Sequence, residues 1–173
     1  GGRTAAGLSM GGRKYAVLVG DLKANLFALD AETGAVLWKK TLDTHRFARI
    51  TGAPILADGK VYVPVSSIEE GPAAQPKYEC CTFRGSVVAL EAATGEQLWK
   101  SYTITEAPTE IGKTSIGTAQ YAPAGAAVWN SPTIDRQNGV LYIGTGNSDT
   151  GPAMKTSDSV LALDLKRGKT RGW

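Results

Sequence analysis

An all-β chain of repeated strand pairs is the fold class that three features of this 173-residue sequence predict. A motif recurs along the chain: Ala28-Leu29-Asp30-Ala31-Glu32-Thr33-Gly34-Ala35-Val36-Leu37-Trp38-Lys39 is matched by Ala89-Leu90-Glu91-Ala92-Ala93-Thr94-Gly95-Glu96-Gln97-Leu98-Trp99-Lys100. A weaker copy runs Ala162-Leu163-Asp164-Leu165-Lys166-Arg167-Gly168 and ends at Trp173. Short apolar strands with turn signals precede each copy, and 21 glycines against two methionines supply the turns.

Each copy reads as one physical unit. A strand such as 25–30 is stopped by an acidic residue whose side chain can bond the turn amides. Thr-Gly makes a tight turn, with Gly free to take positive φ. A second strand follows and ends in Trp, a large ring suited to docking one unit against the next. Upstream of the first copy, 15–20 supplies a single strand. Upstream of the second, 53–57, the turn Asp58-Gly59 and 60–65 form a strand pair; upstream of the third, 131–135, Asn138-Gly139 and 140–145 form its counterpart. Four short antiparallel strands per unit with aromatic punctuation describe blades of a β-propeller. The reading is a single partial β-propeller domain over 1–173, with blades at roughly 12–42, 50–102 and 126–173. The third copy departs from the others, with Arg167 in place of Thr and Gly172 inserted before Trp173, so either its last strand is expected to be irregular or the chain is cut there. Three blades cannot close a ring, so a piece of a larger propeller is expected. Segment 121–125, between the second and third blades, reads as a linker turn without chemistry.

Composition narrows the function classes. An apolar share of 42% fits a globular chain. Nineteen Lys and Arg against sixteen Asp and Glu are scattered without a run, which gives no signal for nucleic acid or a membrane surface. No apolar stretch is long enough to span a bilayer. The chain opens Gly1-Gly2-Arg3 without an initiator Met or signal peptide, as expected of a mature or truncated segment.

Two long loops carry the unusual residues. The first, 66–84, holds Ser66-Ser67-Ile68-Glu69-Glu70 and Tyr78-Glu79-Cys80-Cys81-Thr82-Phe83-Arg84. Its adjacent cysteines are the only two in the chain. They are either bonded to each other, which favours an oxidising compartment, or two reduced, partly buried thiols. His45 is the single histidine, which argues against zinc and against a Ser-His-Asp hydrolase. The second loop starts at Gly144-Thr145-Gly146-Asn147 and runs to Ser157. Glu69 and Asn147 both follow a blade's second strand, so they can meet, and their oxygens are hard ligands suited to Ca²⁺. The same residue types also serve ordinary turns and solvated loops.

The Ala-Leu-Asp-x-x-Thr-Gly-x-x-x-Trp repeat resembles the tryptophan-docking motif of the pyrroloquinoline-quinone (PQQ) alcohol dehydrogenases, which are eight-bladed propellers. The resemblance runs from about Tyr15 to Trp173, and loop 66–85 is most similar to the polyvinyl-alcohol branch of that family. It implies PQQ and Ca²⁺ as cofactors. Thr51, Ser66 and Arg84 would contact the quinone's polar edges, Trp129 would lie beneath its ring and a Cys80–Cys81 disulfide above. Glu69 would ligate calcium with Asn147; Glu70 is its neighbour, and spacing from the strand favours Glu69. No catalytic residue is assigned here, because the family's Asp base belongs to a later blade; Asp149 and Asp158 lie near Asn147 but outside that motif.

The implied activity is oxidation of a primary or secondary alcohol, with polyvinyl alcohol as one candidate. Electrons would pass to a cytochrome c or quinone, the remaining blades would be partners, and the protein would be exported to the periplasm. The alternative is a non-catalytic propeller of the same repeat acting as a protein-interaction scaffold, which needs no Glu69, Trp129, Asn147 or Cys-Cys set.

Overall fold

The computed structural model describes residues 3–9 and 13–173, and only the backbone path of those up to 14. Strands β1 (Arg3–Ser9), β2 (Arg13–Gly20), β3 (Asn25–Asp30) and β4 (Val36–Thr41) form an antiparallel sheet in chain order. In the second sheet β5 (Ala48–Arg49) and β6 (Ile55–Ala57) both pair with β7 (Lys60–Ser67). After a short helix α1 (Glu70–Ala73) follow β8 (Ser86–Glu91) and β9 (Gln97–Tyr102). A hairpin of β10 (Thr109–Lys113) and β11 (Ala119–Ala122) comes next, then β12 (Ala124–Gly125). The third sheet contains β13 (Thr133–Asp135), β14 (Val140–Gly144), β16 (Val160–Asp164) and β17 (Thr170–Gly172), while the intervening β15 (Ser148–Thr150) pairs with β12 instead.

Alternation within the middle sheet explains why the three sheets stack. Val61, Val63 and Val65 of β7, with Val88 and Leu90 of β8, pack against Ala16, Leu18, Leu26 and Ala28 of the first sheet. Tyr62, Val87 and Ala89 point the other way, onto Leu141, Ile143, Leu161 and Leu163 of the third. Successive side chains of a strand face opposite sides, so a strand buried on both must be a continuous apolar run. Each of the Val, Leu and Ile side chains contributes roughly 1.5–3 kcal/mol on burial. Four-stranded antiparallel sheets stacked face to face in this way are β-propeller blades.

The repeated turns follow the chemistry of the motif. Asp30 Oδ1 accepts the amides of Glu32 and Thr33 at 3.0 and 2.9 Å, and Asp164 Oδ1 those of Lys166 and Arg167 at 3.1 and 2.9 Å. Gly95 and Gly168 take φ of +72° and +69° and also lie under a tryptophan of the preceding sheet. A Cβ would come within 2.7 Å of the Trp38 ring at Gly95 and within 2.6 Å of the Trp99 ring at Gly168, so only glycine serves both needs. Between the upstream strands of the second sheet, Asp58 and Gly59 both have positive φ, as a two-residue hairpin requires.

The first sheet differs from the sequence reading. It has a further strand upstream of 15–20: β1 pairs antiparallel with β2, Arg3 opposite Val19, although its Ala and Gly give little strand signal. Position 12, where the sequence reading opens the first blade, lies outside the described residues. In the third sheet Ala162 faces Gly172, whereas the matching Ala28 and Ala89 face Trp38 and Trp99. The inserted glycine thus occupies the ladder position of the tryptophan, and Trp173 follows it, 69% exposed.

Candidate functional site

The two long loops meet where β7 and β14 end. Ser67 Oγ accepts the Glu69 amide at 2.9 Å and helps turn the chain so that the Glu69 side chain points inward, 1% exposed. Its Oε1 accepts the Tyr78 hydroxyl at 2.8 Å, its Oε2 accepts the Phe83 amide at 2.7 Å, and the Thr82 amide lies 3.1 Å from each oxygen. His45 Nε2 is 3.4 Å from Oε1 and 3.1 Å from Thr82 Oγ1. Burial works to raise this carboxyl, but hydrogen bonds from His45, Phe83, Tyr78 and Thr82 outweigh it and hold the group below the usual range, as a carboxylate.

Asp149 arrives from the other loop, on β15. Gly125 of the pairing strand has φ of +106°, and a Cβ there would collide with the Asp149 amide, so the close approach depends on glycine. Burial pushes the Asp149 carboxyl up to about 6, the charges of Glu69 and Glu70 add to the rise, and His45 acts against it. One oxygen each of Asp149 and Glu69 and the Cys81 sulfur lie within 4.8 Å of one another.

Trp129 and Asn147 line the same small pocket, together with Ser67, Glu69, Glu70, Ala127 and Asp149. Trp129 is 38% exposed and is backed by Gly146, where a Cβ would reach its indole nitrogen at 3.0 Å. The Asn147 side chain is exposed and donates to its neighbour Ser148 O at 3.3 Å, while its backbone carbonyl accepts the Ala126 amide at 2.7 Å.

Cys80 and Cys81 are bonded to each other, so the two-thiol alternative does not hold. They are not isolated in their loop. Tyr121 N donates to Cys80 O at 2.6 Å and Cys81 N to Tyr121 O at 3.4 Å. Gly125 N donates to Phe83 O at 2.8 Å, and Gly85 N to Gly125 O at 2.9 Å. The segment read from sequence as a linker turn, 121–125, is therefore strand structure bracketing the disulfide. It lacked a signal because each piece is short and pairs with a loop rather than with a blade.

Five expected site residues do not line this pocket: Cys80 and Cys81, of which the Cys81 sulfur comes near Glu69 and Asp149, and Thr51, Ser66 and Arg84. Thr51 Oγ1 and Ser66 Oγ bond each other at 2.9 Å, and Ser66 Oγ also lies 3.2 Å from Arg49 O. The Arg84 guanidinium donates to the carbonyls of Ile104, Thr105 and Glu106 at 3.2, 2.8 and 3.2 Å and stacks on the Tyr102 ring at 4.0 Å. Asp149 and Tyr78 are the functional candidates that sequence reasoning left without a role.

The donor set fits a hard cation. Burial raises Asp149 and the Glu69 and Glu70 charges add to the rise, and an oxygen-seeking divalent ion relieves that repulsion. A planar aromatic cofactor also finds a flat apolar face in the exposed Trp129 indole.

The family model PQQ_2, described as outer membrane protein assembly factor BamB, matches residues 2–172. The chain is 40% identical over 158 residues to the polyvinylalcohol dehydrogenase of a Pseudomonas species, covering 91% of the chain and 25% of that protein. It is 43% identical over 158 residues to the polyvinylalcohol dehydrogenase of a Sphingopyxis species, covering 91% and 24%. The crystal structure of the quinohemoprotein alcohol dehydrogenase from Comamonas testosteroni superposes with a TM-score of 0.66 at 26% identity, over 91% of this chain and 25% of that one. The chain thus spans about a quarter of the length of the relatives it matches.

Proposed function

The chain belongs to the PQQ_2 repeat family, and on that premise we propose that it is part of a PQQ- and calcium-dependent alcohol dehydrogenase. The observation that carries this reading is the pocket in which Glu69, Asp149 and Asn147 meet beside the exposed Trp129, with the Cys80–Cys81 disulfide against it. Its likeness to two polyvinylalcohol dehydrogenases supports a primary or secondary alcohol as substrate, polyvinyl alcohol included. A cytochrome c or a quinone is the proposed electron acceptor. The disulfide supports export to an oxidising compartment, the periplasm. No helix among the described residues is long and apolar enough to cross a membrane.

Glu69 and Asn147 would hold Ca²⁺, with the Asp149 carboxylate facing it and Glu70 at the rim. When bound, calcium and the quinone supply Lewis-acid polarisation and two-electron redox chemistry. The chain's own residues bind and orient. Trp129 offers its ring to the planar cofactor, the disulfide offers a second, rigid wall, and the buried Glu69 keeps its charge where water is scarce. Thr51, Ser66 and Arg84 are the further candidates for polar contacts. Arg84 must release the carbonyls of 104–106 to reach a cofactor carboxylate.

A second reading, a non-catalytic interaction scaffold, is favoured by the description of the family model itself. Calorimetric titration of PQQ into the purified chain, with and without Ca²⁺, separates the two. Calcium-dependent binding that W129A and N147A abolish supports the dehydrogenase. Absence of binding to a well-folded chain favours the scaffold.

A further inference from the structure

An ionised glutamate offers about four acceptor positions. Glu69 has four groups on them: the Tyr78 hydroxyl and, at 3.4 Å, His45 Nε2 on one oxygen, the Phe83 amide on the other, and the Thr82 amide between the two. The carboxylate plane is therefore fixed. Two of these groups are main-chain amides directly after Cys81, placed by the pairing of this segment with 121–125. The other two are side chains. Tyr78 comes from the stretch after α1, and its ring meets Phe47 edge-on at 5.7 Å.

We propose that Tyr78 is a positioning residue of the cation site, holding the Glu69 carboxylate in the orientation that sets it beside Asp149 and Asn147 in the shared pocket. This rests on the cation-binding reading above. Tyr78 itself does not touch the cation. Without its hydroxyl, Oε1 loses its shortest partner and the carboxylate gains rotational freedom that cation binding must then remove. An ordering cost of this kind appears as weaker affinity, and a hydrogen bond to a charged group is among the stronger ones.

The test is calcium titration by calorimetry, without PQQ or substrate, on the wild-type chain and on Y78F, F47L and N147A, with each melting temperature recorded in calcium-free buffer. Y78F keeps the ring and deletes only the hydroxyl. It is expected to fold, with a circular dichroism spectrum overlaying that of the wild type, and to raise the Ca²⁺ dissociation constant about tenfold, or about 1.4 kcal/mol. F47L disturbs the packing of the Tyr78 ring and keeps the hydroxyl, and is expected to change the constant less than about twofold. A Y78F chain with a lower calcium-free melting temperature but wild-type affinity assigns Tyr78 to the fold and overturns the proposal, as does one that fails to fold. Equal weakening in F47L reduces the effect to packing and overturns it too. Calcium uptake that N147A abolishes and Y78F leaves intact sinks this inference alone. Absence of uptake by the wild type sinks the cation site along with it.

Discussion

At the junction of the first and second sheets Trp38 lies over Gly95 and donates its indole N–H to Ala92 O at 3.0 Å. At the next junction Trp99 lies over Gly168 in the same way, but its buried Nε1 has no hydrogen-bond partner among the described residues. The carbonyl matching that of Ala92 belongs to Leu165, and it accepts the Tyr62 hydroxyl at 3.3 Å. Tyr62 also packs against the Trp99 ring, centroids 5.8 Å apart. The ring-on-glycine contact is thus the constant element of the repeat, and the indole hydrogen bond is dispensable. A buried unpaired N–H costs about 1–3 kcal/mol, which the added aromatic packing partly offsets.

The largest effects expected are at the glycines. G95A and G168A each combine the left-handed φ penalty, about 1–2 kcal/mol, with a methyl group driven into a tryptophan ring, about 1–3 kcal/mol more. G34A, at a position with φ of +73° and open space where the methyl would go, should show only the backbone part, about 1–2 kcal/mol. Denaturant midpoints of the three variants measure the difference. If G34A costs as much as G95A, the tryptophan contact contributes nothing. Next in size, W38F removes a hydrogen bond and leaves Ala92 O unpaired, for about 1–2 kcal/mol. W99F deletes an N–H that already lacks a partner and is expected to cost about 1–2 kcal/mol less than W38F. Matching losses in the two tryptophan variants would erase the distinction between the junctions.

The smallest effect is electrostatic and belongs to the first junction. Asp21 accepts the Ile50 amide on its carbonyl at 3.0 Å, and its carboxylate takes the amides of Lys23 and Asn25 and the Asn25 side chain, each at 2.8 Å. Burial works to raise this carboxyl, but the Asn25 and Lys23 donors outweigh it and hold it below the ordinary 3.8. A group lowered on folding stabilises the protein above its unfolded value and loses that contribution as pH falls through the folded one. The stability gap between wild type and D21N is therefore expected to be constant above about pH 5 and to close below pH 3.8 in urea titrations.

What the sequence disclosed was local. The acidic-Thr-Gly-Trp motif gives the blade hairpins because each of its residues meets a need within a few positions of itself. The unbroken apolar run 61–65 foretells a strand covered on both faces. The site was legible only in part. Glu69, Trp129, Asn147 and the paired cysteines stand out because they recur in a known family. Asp149 does not, because its closeness to Glu69 depends on β15 leaving its sheet for β12 and on the absence of a Cβ at Gly125. The Tyr78 contact spans a loop whose course no periodicity encodes. Hairpin β10–β11 escaped notice since every residue of β10 is exposed, so it carries no alternation of apolar and polar positions.

The bond between Cys80 and Cys81 joins residues adjacent in sequence. A cross-link stabilises a protein chiefly by shortening the excursions of the unfolded chain, in proportion to the logarithm of the contour it closes. Here that contour is a single peptide unit, so the polymer loses almost no freedom by being bridged. The covalent bond is nearly invisible to the global folding equilibrium. Its influence is confined to the few atoms around it, among them the two amides that hold Glu69, and it works as a local stiffener rather than as a staple.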